Sequence, residues 1–216
     1  CRIAPESRTD PALPTTSRGR SPSSTIVGAI MLGNRSPGAR SAVPISADLD
    51  ELIDHIREAF STGKAITGTP TGFTGIDQLL HGLWPSQLVL LAARTGQGKS
   101  TLAQNIAENI ADAGLPVFLA SLEMSRFELQ IRSLSRAGRI DSDRLSTGVI
   151  AADQATRLPN PIEAVKARTK LLIHDDGLTS PTMLAALARR HNDNDPLGLI
   201  VVDYIGLMQG QGENQT

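Results

Sequence analysis

The segment A-A-R-T-G-Q-G-K-S-T, Ala92 to Thr101, holds the residue types that bind phosphate. Gly96 and Gly98 let the backbone bend so that successive N–H groups point inward at anionic oxygens. Lys99 can reach the β- and γ-phosphates of a nucleoside triphosphate, and the Ser100 hydroxyl can ligate Mg²⁺. A helix opening at this point adds the positive end of its dipole. Ala93, Arg94, Thr95, Gly96, Gln97, Gly98, Lys99, Ser100 and Thr101 are therefore expected to line the nucleotide. The general pattern G-x-x-x-x-G-K-[ST] has a Gly where Ala93 stands here.

Two carboxylates could complete the chemistry. Asp203 ends the apolar run in L-I-V-V-D-Y. In open α/β sheets, ligands bind outside the carboxyl ends of the strands. Asp203 is thus placed to hold Mg²⁺ through water, or to help polarise an attacking water. Glu123 in A-S-L-E-M-S follows a second apolar run. It could orient a water for in-line attack on the γ-phosphate. Equally, it could be a first-turn acid that favours the dipole of a following helix.

Other residues carry weaker signals. His174, Asp175 and Asp176 are adjacent, but no second His or Cys stands at metal-ligand spacing, which favours a turn. His55, His81 and His191 are isolated and read as surface residues. Trp84 reads as a packing residue rather than a base-stacking platform. Arg126, Arg132, Arg136 and Arg139 recur along one helix and read as a solvated face.

These residues need elements to hold them. Leu88 to Ala93 is a continuous apolar run, as a buried parallel strand requires. Ser100 to Ala113 is helical and ends at Gly114 and Pro116. Val117 to Ser121 is a second strand, and Ser125 to Ala137 a helix. Residues 141–170 are helical but interrupted, because Pro159 and Pro161 break continuity. Leu171 to His174 and Leu199 to Tyr204 are strands, and Pro181 to His191 lies between them as a helix. This alternation predicts an α/β fold with a mostly parallel sheet.

Upstream, Leu49, Leu52, Ile53, Ile56 and Phe60 form one apolar stripe on a helix of residues 48–62. Ser46 is expected to cap it, and Gly63 to end it. One helix of this length is not stable alone, so the stripe must pack on something. Residues 1–45 are rich in Pro, Ser, Arg, Thr and Gly and are expected to be a low-complexity, disordered segment. Its apolar piece T-I-V-G-A-I-M-L could form a weak local element near 25–32. Its basic balance sets Arg2, Arg8, Arg18, Arg20, Arg35 and Arg40 against Glu6 and Asp10. The expected division is 1–45, a linker helix at 46–63 and a core at 64–216.

The chain of 216 residues is 40% hydrophobic, with net charge −1 and 3% aromatic residues. A globular core is expected, with no global attraction to nucleic acid and no aromatic platforms for bases. The lone Cys1 excludes an internal disulfide and fits a reducing compartment. No apolar run approaches the roughly 18 residues of a membrane helix. A start at Cys and an end at Thr216, shortly after a strong strand, suggest a fragment or the product of an odd gene boundary.

Taken together, T-G-T-P-T-G-F-T-G-I-D-Q-L-L-H-G-L (67–83), A-A-R-T-G-Q-G-K-S (92–100), S-L-E-M-S (121–125), R-I-D-S-D-R-L-S-T-G (139–148) and L-G-L-I-V-V-D-Y-I-G-L-M (197–208) resemble the ATPase domain of DnaB-type replicative DNA helicases. The similarity runs over roughly residues 46 to 208, and S-L-E-M-S is its most specific piece. Ala93 is ordinary for that family. The resemblance implies a RecA-like P-loop NTPase core, incomplete at its C-terminus. It implies ATP and Mg²⁺ as ligands, with Lys99 and Glu123 catalytic, Glu123 as the base, and Ser100 and Asp203 at the metal. It further implies a homohexameric ring in a bacterial or phage replisome in the cytoplasm, moving 5′→3′ on single-stranded DNA, with a primase and a helicase loader as further partners. Helix 48–62 becomes a linker helix on an adjacent subunit. Gly206 stands where the family usually has Gln. The family's γ-phosphate-sensing Gln, arginine finger and DNA-binding loops follow the Asp203 strand and cannot be assigned to residues here. A RecA-like ATPase without unwinding activity, and a remnant that binds nucleotide without turnover, are the two other readings.

Overall fold

Sheet order in this computed structural model is β2-β1-β5-β3-β4. The structure describes residues 26–31, 44–47, 49–63, 68–94 and 96–203. Thr95, Gly206 and most of the basic N-terminal stretch lie outside them.

Four strands point the same way. β3 (Val117–Ser121) pairs in parallel with β4 (Leu171–His174) and with β5 (Leu199–Asp203). β1 (Ile26–Met31) runs antiparallel to β5 and to β2 (Leu88–Ala93), so β2 again points with β5. The carboxyl ends of β2, β3, β4 and β5 therefore share one edge. The expected mostly parallel α/β sheet is present, with one reversed strand in its interior.

Two details depart from the sequence reading. The apolar piece near residues 25–32 is a strand with partners on both sides, its register running from Ile26 opposite Ala93 to Met31 opposite Leu88. It joins the sheet although it lies in the stretch expected to stand outside the core. β2 is not a buried strand between parallel neighbours. It ends the sheet order, and its residues alternate between exposed and half-buried, with Leu88 and Leu90 on the open side. An apolar run alone does not tell a central strand from an edge strand packed on one face.

Helices cover both faces, because alternate side chains of a strand point to opposite sides. Val117, Leu119, Leu199 and Val201 face α3 (Lys99–Asp112), where they meet Ala103, Ile106, Ala107 and Ile110. Phe118, Ala120 and Val202 face α8 (Pro181–Asn194), where they meet Leu184 and Ala188. Each fully buried Leu, Ile or Val contributes about 1.5–3 kcal/mol. The register of β3 against β5 sets Ser121 opposite Asp203, and so fixes where the two carboxylates of interest emerge.

The remaining helices frame this core. α1 (Leu49–Thr62) ends at Gly63 with φ +60, as expected of a glycine C-cap. It begins three residues past Ser46, which sits in a turn rather than at the cap. Its apolar stripe is exposed, with Leu52 at 52%, Ile56 at 57% and Phe60 at 90%. α2 (Thr74–Leu80) has no counterpart in the sequence reading. Its Asp77, only 4% exposed, accepts hydrogen bonds from the Thr71 N–H (2.7 Å), the Thr71 hydroxyl (2.8 Å) and the Gly72 N–H (3.2 Å). That carboxylate folds the T-G-F-T-G-I-D turn. Asn109 of α3 then donates to the Thr71 carbonyl at 2.8 Å and ties the turn to the phosphate-loop helix.

Beyond β3 come α4 (Arg126–Gly138), α5 (Ser142–Thr147), α6 (Ala152–Arg157) and α7 (Pro159–Lys166). The interrupted helical region is as expected, but Pro159 opens α7 instead of breaking a helix. Proline suits the first helical position, where its missing N–H has no partner to lose.

Candidate active site

The loop after β2 turns at Gly96 (φ +80) and Gly98 (φ +81), both left-handed conformations that side chains resist. Nothing lies within 4 Å of a Cβ placed at either glycine, so the requirement is for backbone angle, and the space beside the loop is open. Ala93 is the last residue of β2 and is not among the positive-φ residues, which is why an alanine is tolerated there. Gly98 caps α3 without a side chain, so no cap oxygen competes for the first-turn N–H groups. They face the loop at the positive end of the helix dipole, as an anion site requires.

A cavity of about 310 Å³ opens here. One wall is the loop and the start of α3, with Ala93, Arg94, Gly96, Gly98, Lys99, Ser100 and Thr101. The other is the end of β3 and α4, with Glu123, Met124, Glu128 and Arg132. Seven of the expected loop residues and Glu123 are thus brought to one space, whereas Gln97 and Asp203 are not on its lining and Thr95 lies outside the described residues. Gln97 donates its N–H to the Arg94 carbonyl at 3.2 Å and helps close the loop.

The turn that presents Glu123 is built by serines. Ser121, 2% exposed, donates its hydroxyl to the Met124 carbonyl at 2.7 Å and accepts the Met124 N–H at 3.2 Å. The Leu122 N–H donates to the Asp203 carbonyl at 2.7 Å, which locks the Glu123 turn to the end of β5. Ser125 then caps α4 in a reciprocal box. Its oxygen accepts the Glu128 N–H, while its own N–H and hydroxyl donate to the Glu128 carboxylate, both at 2.8 Å. The Ser125 hydroxyl, aided by its N–H, holds the Glu128 carboxyl below the usual carboxylate range. The S-L-E-M-S signature is therefore one turn with two serine clamps around an exposed glutamate.

Asp203 and Lys99 meet directly. The Lys99 ammonium donates to Asp203 Oδ1, and their side chains are 7% and 8% exposed respectively. Their separation in sequence is 104 positions. The donor set fits a magnesium ion: Ser100 and Asp203 both offer hard oxygen ligands.

A second buried polar cluster was not foreseen from the sequence. Glu108 of α3 is 1% exposed. It accepts hydrogen bonds from Gln104 (3.0 Å), Ser133 and Arg136 (2.9 Å) and pairs with Arg168 at 3.4 Å. Arg168 also forks onto Asp112 at 2.6 and 2.9 Å, and Asp112 raises its pKa. The helix that begins the phosphate site is thereby anchored to α4, which closes it. A Glu at this position repeats no motif and looks in sequence like any surface helix residue.

The four arginines do not form one solvated face. Arg126 pairs with Asp175 at 3.0 Å, and its backbone N–H on the same carboxylate holds the Asp175 carboxyl low. Arg136 reaches Glu108, and Arg132 lines the cavity. His174 pairs with the Thr179 hydroxyl at 2.7 Å, and Asp176 accepts the Leu178 N–H at 3.0 Å, so these two serve their own turn while Asp175 serves the start of α4. His191 is not an isolated surface residue; its ring packs 5.7 Å from that of Phe118.

Residues 68–216 match the family described as the DnaB-like helicase C terminal domain. The replicative DNA helicase DnaB of Pasteurella multocida is 37% identical over 180 residues, which are 80% of this chain and 38% of that protein. The corresponding protein of Haemophilus influenzae is 33% identical over 186 residues, 84% of this chain and 40% of that protein. This chain thus spans about two fifths of the length of the relatives it matches. A solved ATPase domain superposes with a TM-score of 0.65 at 24% identity, covering 80% of this chain and 62% of that one. A DnaB-like replicative helicase, solved in a study of its interactions with primase, superposes at 0.63 and 24% identity, covering 82% and 42%. The fold is the RecA-like ATPase fold of these domains.

Proposed function

This chain belongs to the DnaB-like helicase C-terminal domain family, and from that premise we propose that it is the ATPase core of a replicative DNA helicase, coupling ATP hydrolysis to 5′→3′ translocation on single-stranded DNA and to unwinding. The observation that carries this reading is one cavity lined by the phosphate loop with Lys99 and Ser100 on one side and by Glu123 on the other.

Lys99 and the loop N–H groups hold the β- and γ-phosphates. Glu123 orients a water and accepts its proton as the water attacks the γ-phosphorus in line; the leaving group is ADP. Ser100 and Asp203 are the residues that would hold Mg²⁺, which would neutralise phosphate charge. Asp203 also accepts from the Lys99 ammonium. Nucleotide binding therefore exchanges a protein ion pair for contacts to phosphate.

The assembly we infer is a homohexamer. α1 acts as a linker helix, and its exposed apolar stripe supports packing on an adjacent copy. Residues 46–63 form that linker and 64–216 the core, with β1 added to the core by its pairing. Primase and a helicase loader are the further partners, in a cytoplasmic replisome. Among the described residues, no helix is long and apolar enough to cross a membrane.

Glu123→Gln tests the reading. Nucleotide binding should persist, while turnover falls by about 100-fold or more. Unchanged turnover would reduce Glu123 to a helix-start acid. Hydrolysis by the unaltered chain without unwinding of forked DNA would favour a RecA-like ATPase of another role.

A further inference from the structure

Lys99 opens α3, and Glu123 stands just ahead of α4. The separation of the two cavity walls therefore depends on how these helices are set against each other. Apolar contact does little to set it. Leu129 is the one apolar residue of α4 that is fully buried, and hydrophobic contact is non-directional, so it lets one helix slide on the other. Polar contacts instead advance in step along both helices. Gln104 Nε2 donates to the Leu129 carbonyl at 2.8 Å and to the Ser133 hydroxyl at 3.1 Å. One turn on, Ser133 donates to Glu108. Arg136 then forks across two neighbours on α3, Glu108 at 2.9 Å and Asn109. None of Gln104, Glu108, Ser133 and Arg136 lines the cavity. The ladder is a poor device for stability. It leaves Gln104 Oε1 buried without a partner, and a buried ion pair is often no more stabilising than apolar side chains of similar volume. The best attested use of such groups is to fix register.

We propose that Gln104, Glu108, Ser133 and Arg136 lock the register of α3 against α4, and that they serve hydrolysis as positioning residues for Glu123. This rests on the reading of Glu123 as the group that orients the attacking water. The Ser121 hydroxyl and the Leu122 N–H hold the strand side of the Glu123 turn. The ladder holds the helix on its other side. A slip of α4 along α3 carries Glu123 out of line with the phosphorus, and a misplacement of about 1 Å can cost about 100-fold in rate. The phosphates stay bound meanwhile, because the loop and the first turn of α3 hold them. The ladder thus acts on the rate of turnover and leaves affinity alone.

Arg136 is the most accessible member, its side chain 38% exposed, and Arg136→Met leaves Glu108 paired with Arg168. In the whole chain with Mg²⁺, Arg136→Met should slow single-turnover ATP hydrolysis by about tenfold, while affinity for a non-hydrolysable ATP analogue changes by less than about twofold. Arg136→Lys, which keeps the charge without the fork, should fall between. In a Glu123→Gln background, Arg136→Met should slow hydrolysis no further, because a residue that acts through Glu123 then has nothing to position. A residue that merely supports the fold would slow both backgrounds alike. Equal slowing in both backgrounds, unchanged hydrolysis in Arg136→Met, or a matching loss of analogue affinity overturns the inference. Hydrolysis by Glu123→Gln as fast as by the unaltered chain, or none by the unaltered chain, would overturn the reading of the site itself, and this inference with it.

Discussion

Lys99→Ala removes one charge from two interactions, and the structure separates them. Without nucleotide, the ammonium neutralises Asp203 in a space where the two side chains are 7% and 8% exposed. Truncation strands a buried carboxylate, which costs about 3 kcal/mol, the low end for a broken buried pair because the phosphate loop beside it is open to water. At a denaturant slope typical for a domain of this size, that lowers the urea midpoint by about 1 M. Adding Asp203→Asn removes the stranded charge and should recover about 1–2 kcal/mol of it. With Mg²⁺ and ATP at a hundred times the dissociation constant, the unaltered chain gains about 2.7 kcal/mol, whereas Lys99→Ala gains nothing. Urea unfolding followed by far-ultraviolet circular dichroism, with and without nucleotide, reads both effects. The reasoning is refuted if the double variant is no more stable than the single one. It is equally refuted if Lys99→Ala keeps the nucleotide-dependent gain.

Two further outcomes follow from contacts around the site. Glu108→Ala leaves Arg136 and Arg168 beside an empty, buried position and should cost about 3 kcal/mol in the same unfolding assay, whereas Asp112→Ala, at a half-exposed carboxylate, should cost less than about 1 kcal/mol. Ser121→Ala frees the turn that carries Glu123 and should lower kcat about tenfold with little change in KM, measured by steady-state phosphate release, because positioning rather than binding is lost.

Much of this protein was legible before folding was considered. The helix and strand spans around the site are local properties. Val117–Ser121 and Leu171–His174 are short apolar runs between turn formers, and their limits agree with the sequence reading residue for residue. Glycine spacing in the loop reports backbone angle directly, so Gly96 and Gly98 could be read without coordinates. The α2 helix was not legible. It is held by Asp77 reaching back to Thr71, and a buried carboxylate that serves only as a turn organiser looks in sequence like any surface acid. Glu108 was hidden for the same reason.

Residue types determined the chemistry available here: a glycine-rich loop able to cradle phosphate, a hydroxyl able to ligate a metal ion and two carboxylates after strands. Tertiary structure decided how they are deployed. It placed Asp203 on Lys99 across 104 positions, set Arg132 in the cavity wall instead of in solvent, and put β1 between β2 and β5. The physical reason is one of range. Propensity, capping and glycine angles act over a few residues and are written locally. Strand pairing and the partner of a buried charge depend on which groups remain unsatisfied once the whole chain has folded.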